Sequence, residues 1–329
     1  MHTSFNALVT RNQDGQVRSA LEPLTPDRLS PGEVTLRTLY AGVNYKDCLS
    51  LLGKARIISS YPRIPGIEAV GEVIESRAAD FSPGDAVLVH GFQTGIDFDG
   101  GLSEVMRVPA GHLQHVPEGL TPQQAAVIGV PGFTVAMALE RFETWGLRPD
   151  DGMVAVTGAG GAVGRLAIHI LSRAGYRVAA ITRNLAHADA LRALGACDVL
   201  DASLAFAPAR PLEKARFAAA IDNVGGNTLA WLLRSMQDGG LVASVGNAAG
   251  NTFDGSVLPF IMRRVHVFGV VANAPWDERR RLWHRLAHAW APDFAALAPY
   301  VQYIRLSDVL PHAHQQLAGA TSGRTIVAF

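Results

Sequence analysis

The chain has 329 residues, of which 48% are hydrophobic and 18% are charged. This composition excludes a disordered protein, and the length exceeds what one ordinary core fills, so two globular domains are expected. Lys plus Arg and Asp plus Glu number 29 each, so no basic excess recruits nucleic acid. The two cysteines, Cys48 and Cys197, cannot supply a disulfide framework or a four-thiolate zinc site.

Residues 1–6 lack the basic segment and the apolar run of a signal peptide. No uncharged apolar stretch approaches the ~20 residues that a membrane span needs. We therefore expect a cytoplasmic protein that acts on a small molecule and has neither a nucleic-acid nor a membrane partner.

The first part of the chain consists of short apolar runs separated by Gly and Pro. Runs such as Val34–Leu39, Gly71–Glu75 and Ala86–Val89 are typical of short strands and indicate a mostly β domain. The pattern changes at Thr121-Pro122, where Thr121 is expected to cap a helix that begins at Pro122.

Beyond that point strands and helices alternate, which predicts a parallel sheet with helices on both faces. The C-terminal tail again has short runs typical of strands and is expected to pair with the first domain. The predicted domains are therefore residues 1–122 together with 276–329, and residues 123–275. The expected strands are Met153–Thr157, Arg177–Thr182, Phe217–Ile221, Gly240–Gly246, Tyr300–Ile304 and Arg324–Phe329, and the expected helices are Ala162–Ala174, Ala186–Leu194 and Thr228–Met236.

A glycine-rich turn follows the strand at Met153–Thr157 and precedes a helix. Ala159, Gly161 and Gly164 fit a variant of the G-x-G-x-x-G fingerprint, in which backbone N–H groups and a helix N-terminus approach a pyrophosphate. The alternative is a turn that only joins a strand to a helix. Because strand, turn, helix and second strand all fall where dinucleotide binding requires them, we favour the dinucleotide site.

The end of the second strand bears on the choice of dinucleotide. An NAD site places a carboxylate there, but this chain has Thr182-Arg183-Asn184. The guanidinium of Arg183 and the hydroxyl of Thr182 suit the 2′-phosphate of NADPH. The alternative is that Arg183 is a solvated surface residue.

Several segments together resemble the medium-chain dehydrogenase/reductase superfamily, in its zinc-free quinone oxidoreductase branch and within that the acrylyl-CoA reductase subgroup. The segments are Asn44–Asp47, Pro65–Gly71, Gly100–Glu104, Gly129–Thr134, Asp222–Gly225, Arg210–Glu213, Leu258–Arg263 and Gly323–Thr325. The resemblance implies an α/β protein with a GroES-like β-barrel domain, a Rossmann domain with a doubly wound parallel sheet, and an active site in the cleft between them. It also implies a homodimer with the strand Val265–Val270 at the shared edge.

Zinc-dependent relatives place a Cys about where Asn44 stands and a His where Ile67 stands, before Glu68. One carboxylate cannot hold a catalytic zinc, and the segment 85–109 has no cysteine for a structural zinc. His284 and His288 have helical spacing, but neighbouring arginines favour a solvated face. We therefore expect no functional metal.

The resemblance implies roles for particular residues. Tyr45 borders the nicotinamide, the turn covers the pyrophosphate, and the end of the second strand meets the adenosine ribose phosphate. The implied cofactor-binding residues are Tyr45, Gly160, Gly161, Ala162, Val163, Thr182, Arg183, Asn184, Asn247, Val270 and Ala272. The chain departs from the subgroup at 182–184, where Ser-Gly-Arg is expected, and at Val271-Ala272, where Asp-Ser is expected.

Reduction of an enoyl thioester places negative charge on the thioester oxygen, and a hydrogen-bond donor there stabilises the enolate. Tyr45 is the leading candidate donor by position, with Asn44 and Lys46 behind it, and the alternative is that the Tyr45 ring only shapes the pocket. Asp47 and Glu68 are expected to be structural acceptors. Cations that could meet coenzyme A phosphates are Lys54, Arg56, Arg63 and Arg263.

The sequence leaves two other functions open. One is a general NADPH:quinone reductase, for which a flat apolar slot matters more than a donor. The other is a crystallin-like protein that binds NADPH without turnover. A substrate panel with NADPH separates the three.

Overall fold

The structure is a computed structural model that describes residues 4–207 and 210–329; residues 1–3, part of the segment examined for a signal peptide, lie outside it. The strands are β1 Phe5–Gln13, β2 Gln16–Leu24, β3 Val34–Val43, β4 Glu68–Ser76, β5 Ala86–His90, β6 Val105–Val108, β7 Gln114–His115, β8 Met153–Thr157, β9 Arg177–Thr182, β10 Ala196–Asp201, β11 Phe217–Asp222, β12 Met236–Ser244, β13 His266–Gly269, β14 Val301–Ile304 and β15 Arg324–Ala328. The helices are α1 Tyr45–Leu51, α2 Pro122–Thr144, α3 Ala162–Arg173, α4 Ala188–Ala193, α5 Gly226–Ser235, α6 Leu258–Arg263, α7 Trp276–Ala287, α8 Phe294–Leu297 and α9 Val309–Leu317.

The chain divides into two compact units. Unit 1 comprises the residues up to Val130 and Tyr300–Phe329, and unit 2 comprises Pro131–Pro299. The predicted boundaries at 122 and 276 are therefore placed too early. The second boundary moves furthest because α7 belongs to unit 2, where Trp283 of α7 packs against Phe133 with ring centroids 6.1 Å apart.

Unit 2 is built on a parallel sheet of six strands in the order β10-β9-β8-β11-β12-β13. Numbered within the unit this order is 3-2-1-4-5-6, the doubly wound arrangement that the alternating pattern predicted. The four inner strands are largely buried because helices cover them; Val154, Ala179 and Ala220 each have no exposed surface.

Unit 1 carries a sheet with the path β14-β15-β3-β4-β5-β7, in which β6 also pairs with β3, and a separate hairpin of β1 and β2. All the pairs are antiparallel except β14 with β15. The predicted return of the tail is confirmed, since Thr325 of β15 lies opposite Val43 of β3.

The predicted elements agree best with the structure where the strands are short and apolar. β8 and β9 have the predicted bounds, and the Thr121 hydroxyl accepts a hydrogen bond from Gln124 N at 3.2 Å, so the predicted helix cap is confirmed. The sequence analysis missed β10 and the hairpin of β1 and β2. β10 reads Ala196-Cys-Asp-Val-Leu-Asp, which is an edge strand with two carboxylates and lacks a continuous apolar run.

Helix α1 is held against the sheet of unit 1 by helix α9. Cys48 and Leu51 of α1 pack with Val309 and Ala313 of α9 in one buried cluster. The Cys48 thiol donates to Gln316 Oε1 at 3.2 Å, and burial raises the pKa of this thiol to about 12, so it stays protonated. This packing fixes the position of the first turn of α1, which begins at Tyr45.

Helix α2 contains a kink at Gly129, whose φ of 45° is not helical. Contrary to the sequence expectation, α2 is long and apolar enough to cross a membrane by length and composition alone. In the structure 78% of its most apolar window is buried, which is the burial of a core helix in a globular protein.

The imidazole of His169 joins two elements of unit 2 by hydrogen bonds to backbone groups. The backbone N–H of Asp293 donates to His169 Nε2 at 2.9 Å, so Nδ1 carries the proton and donates to the carbonyl of Leu194 at 3.3 Å. Burial lowers the pKa of His169, and the cation of Arg173 lowers it further, whereas Leu194 and Asp293 act in the opposite direction. The neutral ring is therefore the form that the fold requires.

A folded-state pKa below that of the unfolded chain means that unfolding takes up a proton once the pH falls below about 6.5. We expect the free energy of unfolding to decline from neutral pH toward about pH 5.5, and the decline to be smaller in His169→Gln, which cannot titrate. Urea unfolding at both pH values measures the difference.

The matched control is His314→Gln, an exposed histidine of α9. Burial also lowers the pKa of His312, so part of the parent's decline persists in His169→Gln. An equal decline in His169→Gln and the parent would contradict the assignment.

Candidate functional site

Five loops of unit 2 follow β8, β9, β11, β12 and β13, and they emerge at one edge because the strands are parallel. The predicted glycine-rich turn follows β8, and the Asp222–Gly225 segment ends β11. These two strands are neighbours at the point where the strand order reverses, which is where open α/β sheets bind ligands.

The glycine-rich turn leads into α3, whose N-cap is Gly161. Gly164 lies so close to the turn that a Cβ there would be 2.4 Å from the carbonyl oxygen of Gly158. Outward of the turn there is space, because a Cβ on Gly160 would meet only His187, at 3.7 Å. The N–H groups of Ala162 and Val163 belong to the first helical turn and lack intrahelical partners, so these residues fit a pyrophosphate.

The buried carboxylate of Asp222 fixes the loops beside this turn. It accepts hydrogen bonds from the Thr157 hydroxyl at 2.6 Å and from Gly225 N at 3.0 Å. Burial raises the pKa of Asp222, and these donors oppose the rise. Asn223 also donates from Nδ2 to the carbonyl of Thr157 at 2.8 Å. The sequence analysis gave no role to Asn223, although the Asp222–Gly225 motif pointed to it.

The segment after β9 presents one free cation. Thr182 Oγ1 accepts from Asn184 N at 3.1 Å, and Asn184 Oδ1 accepts from Ala186 N at 3.0 Å, so both side chains serve the local turn. The Arg183 side chain is exposed and makes no hydrogen bond or ion pair within residues 4–207 and 210–329. Arg183 is thus available to a ligand phosphate at this edge.

The other predicted cofactor residues lie at the same edge, after β12 and β13. Asn247 donates from Nδ2 to Asn251 Oδ1. The backbone of Val270 donates to the Ser244 carbonyl at 3.0 Å, and Ala272 follows two residues on. The structure therefore brings all the predicted residues of unit 2 to one edge of one sheet.

Unit 1 contains a buried ion pair next to the segment that enters α1. Arg324 Nη2 donates to Glu68 Oε1 at 2.7 Å, and the two side chains are 3% and 6% exposed. The other carboxylate oxygen, Oε2, accepts from Val130 N at 2.7 Å, and Arg324 also donates to the carbonyl of Ala126 at 3.0 Å.

Asn44 completes this network with its side-chain amide. Its Nδ2 donates to Glu68 Oε1 at 2.7 Å, and its Oδ1 accepts from Arg324 Nη1 at 3.3 Å. The Asp47 carboxylate accepts from the backbone of Asn44 and of Ile67, each at 2.9 Å. Burial raises the pKa of Asp47 to about 6, and the two N–H donors oppose the rise. Asp47 and Glu68 act as acceptors inside the fold.

Two glycines allow the ion pair to be buried. A Cβ on Gly129 would lie 2.2 Å from Glu68 Oε2, and a Cβ on Gly42 would lie 2.2 Å from both Arg324 Nη2 and Glu68 Oε1. Gly129 also has the positive φ of 45° that side chains rarely adopt. Any other residue at either position would push the two charges apart.

Tyr45 follows Asn44 directly as the first residue of α1. The residue is 37% exposed, and its hydroxyl makes no hydrogen bond to any residue that the structure describes. Because Asn44 is held by Glu68 and Arg324, the backbone entering α1 is fixed. Tyr45 therefore presents a free hydroxyl from a rigid position.

The residues at this position do not fit a zinc ion. The Glu68 carboxylate is neutralised by a guanidinium, the Asp47 carboxylate accepts from the backbone of Asn44 and Ile67, residue 44 offers an amide, and the side chain of Ile67 is apolar. Within the described residues no three His, Cys, Asp or Glu side chains are grouped so as to hold a metal. His284 and His288 lie with ring centroids 4.3 Å apart and their planes tilted by 32°, and they belong to no such group among the described residues.

Two of the cations considered for coenzyme A phosphates have structural partners. Arg63 donates to the Ser30 hydroxyl at 2.8 Å and pairs with Asp99 at 3.4 Å. Arg263 donates to the backbone carbonyls of Arg234 and Met236, both at 2.9 Å. Arg63 and Arg263 are therefore engaged within the fold, and the expectation that they meet coenzyme A phosphates is corrected.

Lys54 and Arg56 lie exposed on the loop after α1, and neither side chain makes a hydrogen bond or ion pair with any residue in 4–207 or 210–329. They remain candidates for phosphate contacts.

We expect Glu68→Gln to lower the free energy of unfolding by ~3–5 kcal/mol, because it leaves the buried Arg324 charge without its counter-ion. The matched control is Glu72→Gln in the same strand. Glu72 pairs with Arg37 at 2.8 Å, but the side chains are 37% and 58% exposed, so the loss should be ~0–1 kcal/mol. Urea denaturation of the parent and the two variants measures the free energies of unfolding. Equal losses in the two variants would refute the role of the buried pair.

The sequence matches two family models. Residues 30–118 match the alcohol dehydrogenase GroES-like domain, and residues 162–288 match the zinc-binding dehydrogenase family. Acrylyl-CoA reductase AcuI of Ruegeria pomeroyi is 37% identical over 98% of both chains. YhfP of Bacillus subtilis, whose name assigns it to the quinone oxidoreductases, is 37% identical over 89% of both chains.

Solved structures give the same result. The YhdH oxidoreductase of Salmonella enterica in complex with NADP has a TM-score of 0.93 and 38% identity, covering 98% of this chain and 99% of that one. Residues 30–118 lie in unit 1, and residues 162–288 lie in unit 2. The chain is therefore an oxidoreductase that belongs to the medium-chain dehydrogenase/reductase superfamily, in its quinone oxidoreductase branch.

Proposed function

We propose that the protein uses NADPH to reduce an activated carbon–carbon double bond, with acrylyl-CoA or a similar short enoyl thioester as substrate. The observation that carries the proposal is the free hydroxyl of Tyr45, which follows directly on Asn44, the residue that Glu68 and Arg324 hold. The name of the Ruegeria pomeroyi relative supports this substrate class.

The cofactor is NADPH, which when bound supplies the hydride that the β-carbon of the alkene accepts. Gly160, Gly161, Ala162 and Val163 hold its pyrophosphate against the N-terminus of α3. Support comes from the open space over the turn and from the first-turn N–H groups.

The remaining cofactor contacts are assigned along the same edge. Arg183 binds the 2′-phosphate, within a turn shaped by Thr182 and Asn184. Asn247 contacts the nicotinamide ribose, and the backbone of Val270 and Ala272 holds the carboxamide. The Salmonella enterica structure with NADP supports the choice of cofactor.

Tyr45 donates a hydrogen bond to the thioester oxygen as negative charge develops on it. This task falls to Zn²⁺ in metal-dependent relatives, and here the donor is neutral. Asn44 contributes by position: its amide is engaged by Glu68 and Arg324, so it fixes Tyr45. The reaction is proposed to be independent of metal because Glu68 is neutralised by Arg324.

A second candidate function is reduction of quinones. The similarity to YhfP of Bacillus subtilis favours it, since that protein is named as a quinone oxidoreductase. A quinone needs a slot with apolar walls more than a single donor, so the two activities differ in their dependence on the Tyr45 hydroxyl.

Removal of the Tyr45 oxygen tests the donor role. We expect Tyr45→Phe to lower turnover of acrylyl-CoA with NADPH by ~10²–10³, because one oxyanion donor is lost, while NADPH affinity stays unchanged. The parent should keep its activity after treatment with a chelator. NADPH consumption in a stopped-flow spectrophotometer measures the turnover, the NADPH affinity and the effect of the chelator.

Quinone reduction by Tyr45→Phe serves as the control and should be nearly unaffected. Unchanged turnover of acrylyl-CoA in the variant would refute the donor role. A parent that reduces quinones and no enoyl thioester would shift the assignment to the second candidate.

The cofactor preference rests on Arg183. Arg183→Ala should weaken NADPH binding roughly 10- to 100-fold, since a charge-assisted contact to phosphate contributes ~1.5–3 kcal/mol. NADH lacks the 2′-phosphate and should bind as before. Titration of both dinucleotides measures the effect, with Arg192→Ala of the neighbouring α4 as control; equal losses for NADPH and NADH would show that Arg183 does not bind this phosphate.

We further propose a homodimer formed at the β13 edge of unit 2. β13 is the last strand of its sheet, so one side of its backbone is unpaired within the described residues. Helix α6 and the residues after β13 expose large apolar side chains, including Ile261 at 67%, Met262 at 63% and Val271 at 69%. A second copy related by a two-fold axis would cover this apolar edge.

We expect the parent to have twice the mass of one chain in analytical ultracentrifugation. Ile261→Asp should shift it to monomer, because the charge would be buried against the partner. Ile74→Asp, at an exposed apolar residue of unit 1, is the matched control. A monomeric parent, or a dimeric Ile261→Asp protein, would exclude this interface.

A further inference from the structure

We infer that Arg165 is a positioning residue of the pyrophosphate site and that its charge adds to the affinity for any dinucleotide. Arg165 lies in the first turns of α3 and is 3% exposed. Its Nε donates to the carbonyl oxygen of Gly160 at 3.1 Å, inside the glycine-rich turn. The inference rests on the proposed dinucleotide site and goes beyond it, because Arg165 lies outside the fingerprint positions.

The hydrogen bond from Arg165 to Gly160 restrains the glycine-rich turn from the side of α3. A helical side chain points back toward the N-terminus of its helix, which is how residue 165 reaches residue 160. The Gly160 carbonyl is thereby held toward Arg165. A second bond, from Gly161 N to the carbonyl of Gly158 at 3.0 Å, closes the same turn. The space over Gly160 and Gly161 stays open for the ligand.

The guanidinium also places a full positive charge at the end of α3 where the helix dipole is positive. Arginine does not lose its proton in proteins, so this charge persists at all working pH values. Burial reduces the screening of its interactions by water and salt. A pyrophosphate against the α3 N-terminus would therefore be attracted by Arg165 as well as by the N–H groups of Ala162 and Val163.

Arg165 and Arg183 thus have separable effects. Arg183 is exposed after β9 and is assigned to the 2′-phosphate, which only NADPH carries. Arg165 donates a hydrogen bond to the turn that is assigned to the pyrophosphate, which NADPH and NADH share. Adenosine 2′-phosphate carries the 2′-phosphate and no pyrophosphate, so its affinity should depend on Arg183 and be independent of Arg165.

The experiment measures the affinities of NADPH, NADH and adenosine 2′-phosphate for the full chain by isothermal titration calorimetry. Arg165→Met should weaken NADPH and NADH alike by about 10-fold or more, which corresponds to ~1.4 kcal/mol, and leave adenosine 2′-phosphate unchanged. Arg165→Lys keeps the charge and should restore most of the lost affinity. Arg173→Met, at the exposed other end of α3, should bind all three ligands like the parent.

Binding of adenosine 2′-phosphate shows in the same titrations that each variant is folded. Unchanged dinucleotide affinity in Arg165→Met would overturn the inference. An equal loss of affinity for adenosine 2′-phosphate would also overturn it, because such a loss indicates general damage to the protein. An Arg165→Lys variant that binds as weakly as Arg165→Met would show that the charge has no role. A parent that binds no dinucleotide would instead refute the proposed function.

Discussion

The ion pair of Glu68 and Arg324 is the interaction on which the geometry of unit 1 depends. The two residues are 256 positions apart in the chain, and their side chains are nearly inaccessible to water. Burial of two charges is unfavourable unless further hydrogen bonds satisfy them. Val130 N and Asn44 Nδ2 supply donors to the carboxylate, and Ala126 supplies an acceptor to the guanidinium. The pair thus ties β4, β15, α1 and the kink of α2 together.

The same network makes the segment that enters α1 rigid. The amide of Asn44 is held from both sides, by Glu68 and by Arg324. The hydroxyl of Tyr45, the next residue, has no hydrogen bond to any residue that the structure describes.

In unit 2 the corresponding constraint is the parallel sheet itself. Asp222 joins the ends of β8 and β11 through Thr157 and Gly225, at the point where the strand order reverses. Its buried carboxylate accepts hydrogen bonds from these loops, so it fixes their conformation. Two arginines at this edge differ in their surroundings: Arg165 is buried and donates to Gly160 in the turn, whereas Arg183 is exposed after β9.

The sequence by itself determined the features that depend on local patterns. Short apolar runs located β8 and β9, the small residues after β8 located the turn that leads into α3, and Thr121-Pro122 located the start of α2. Each of these signals lies within a few residues, so no distant contact is needed to interpret it.

The tertiary structure alone decided which polar residues are free and which are engaged. Nothing local distinguishes Arg324 or Arg165, which are buried and bonded, from Arg183, which is exposed. Asn44 and Tyr45 are adjacent in sequence, yet only the hydroxyl of Tyr45 is unengaged, because Glu68 and Arg324 arrive from distant strands. The second domain boundary was misplaced for the same reason: α7 joins unit 2 through packing with Phe133. Partners brought together by long-range folding set burial and charge, and a single sequence carries no local record of them.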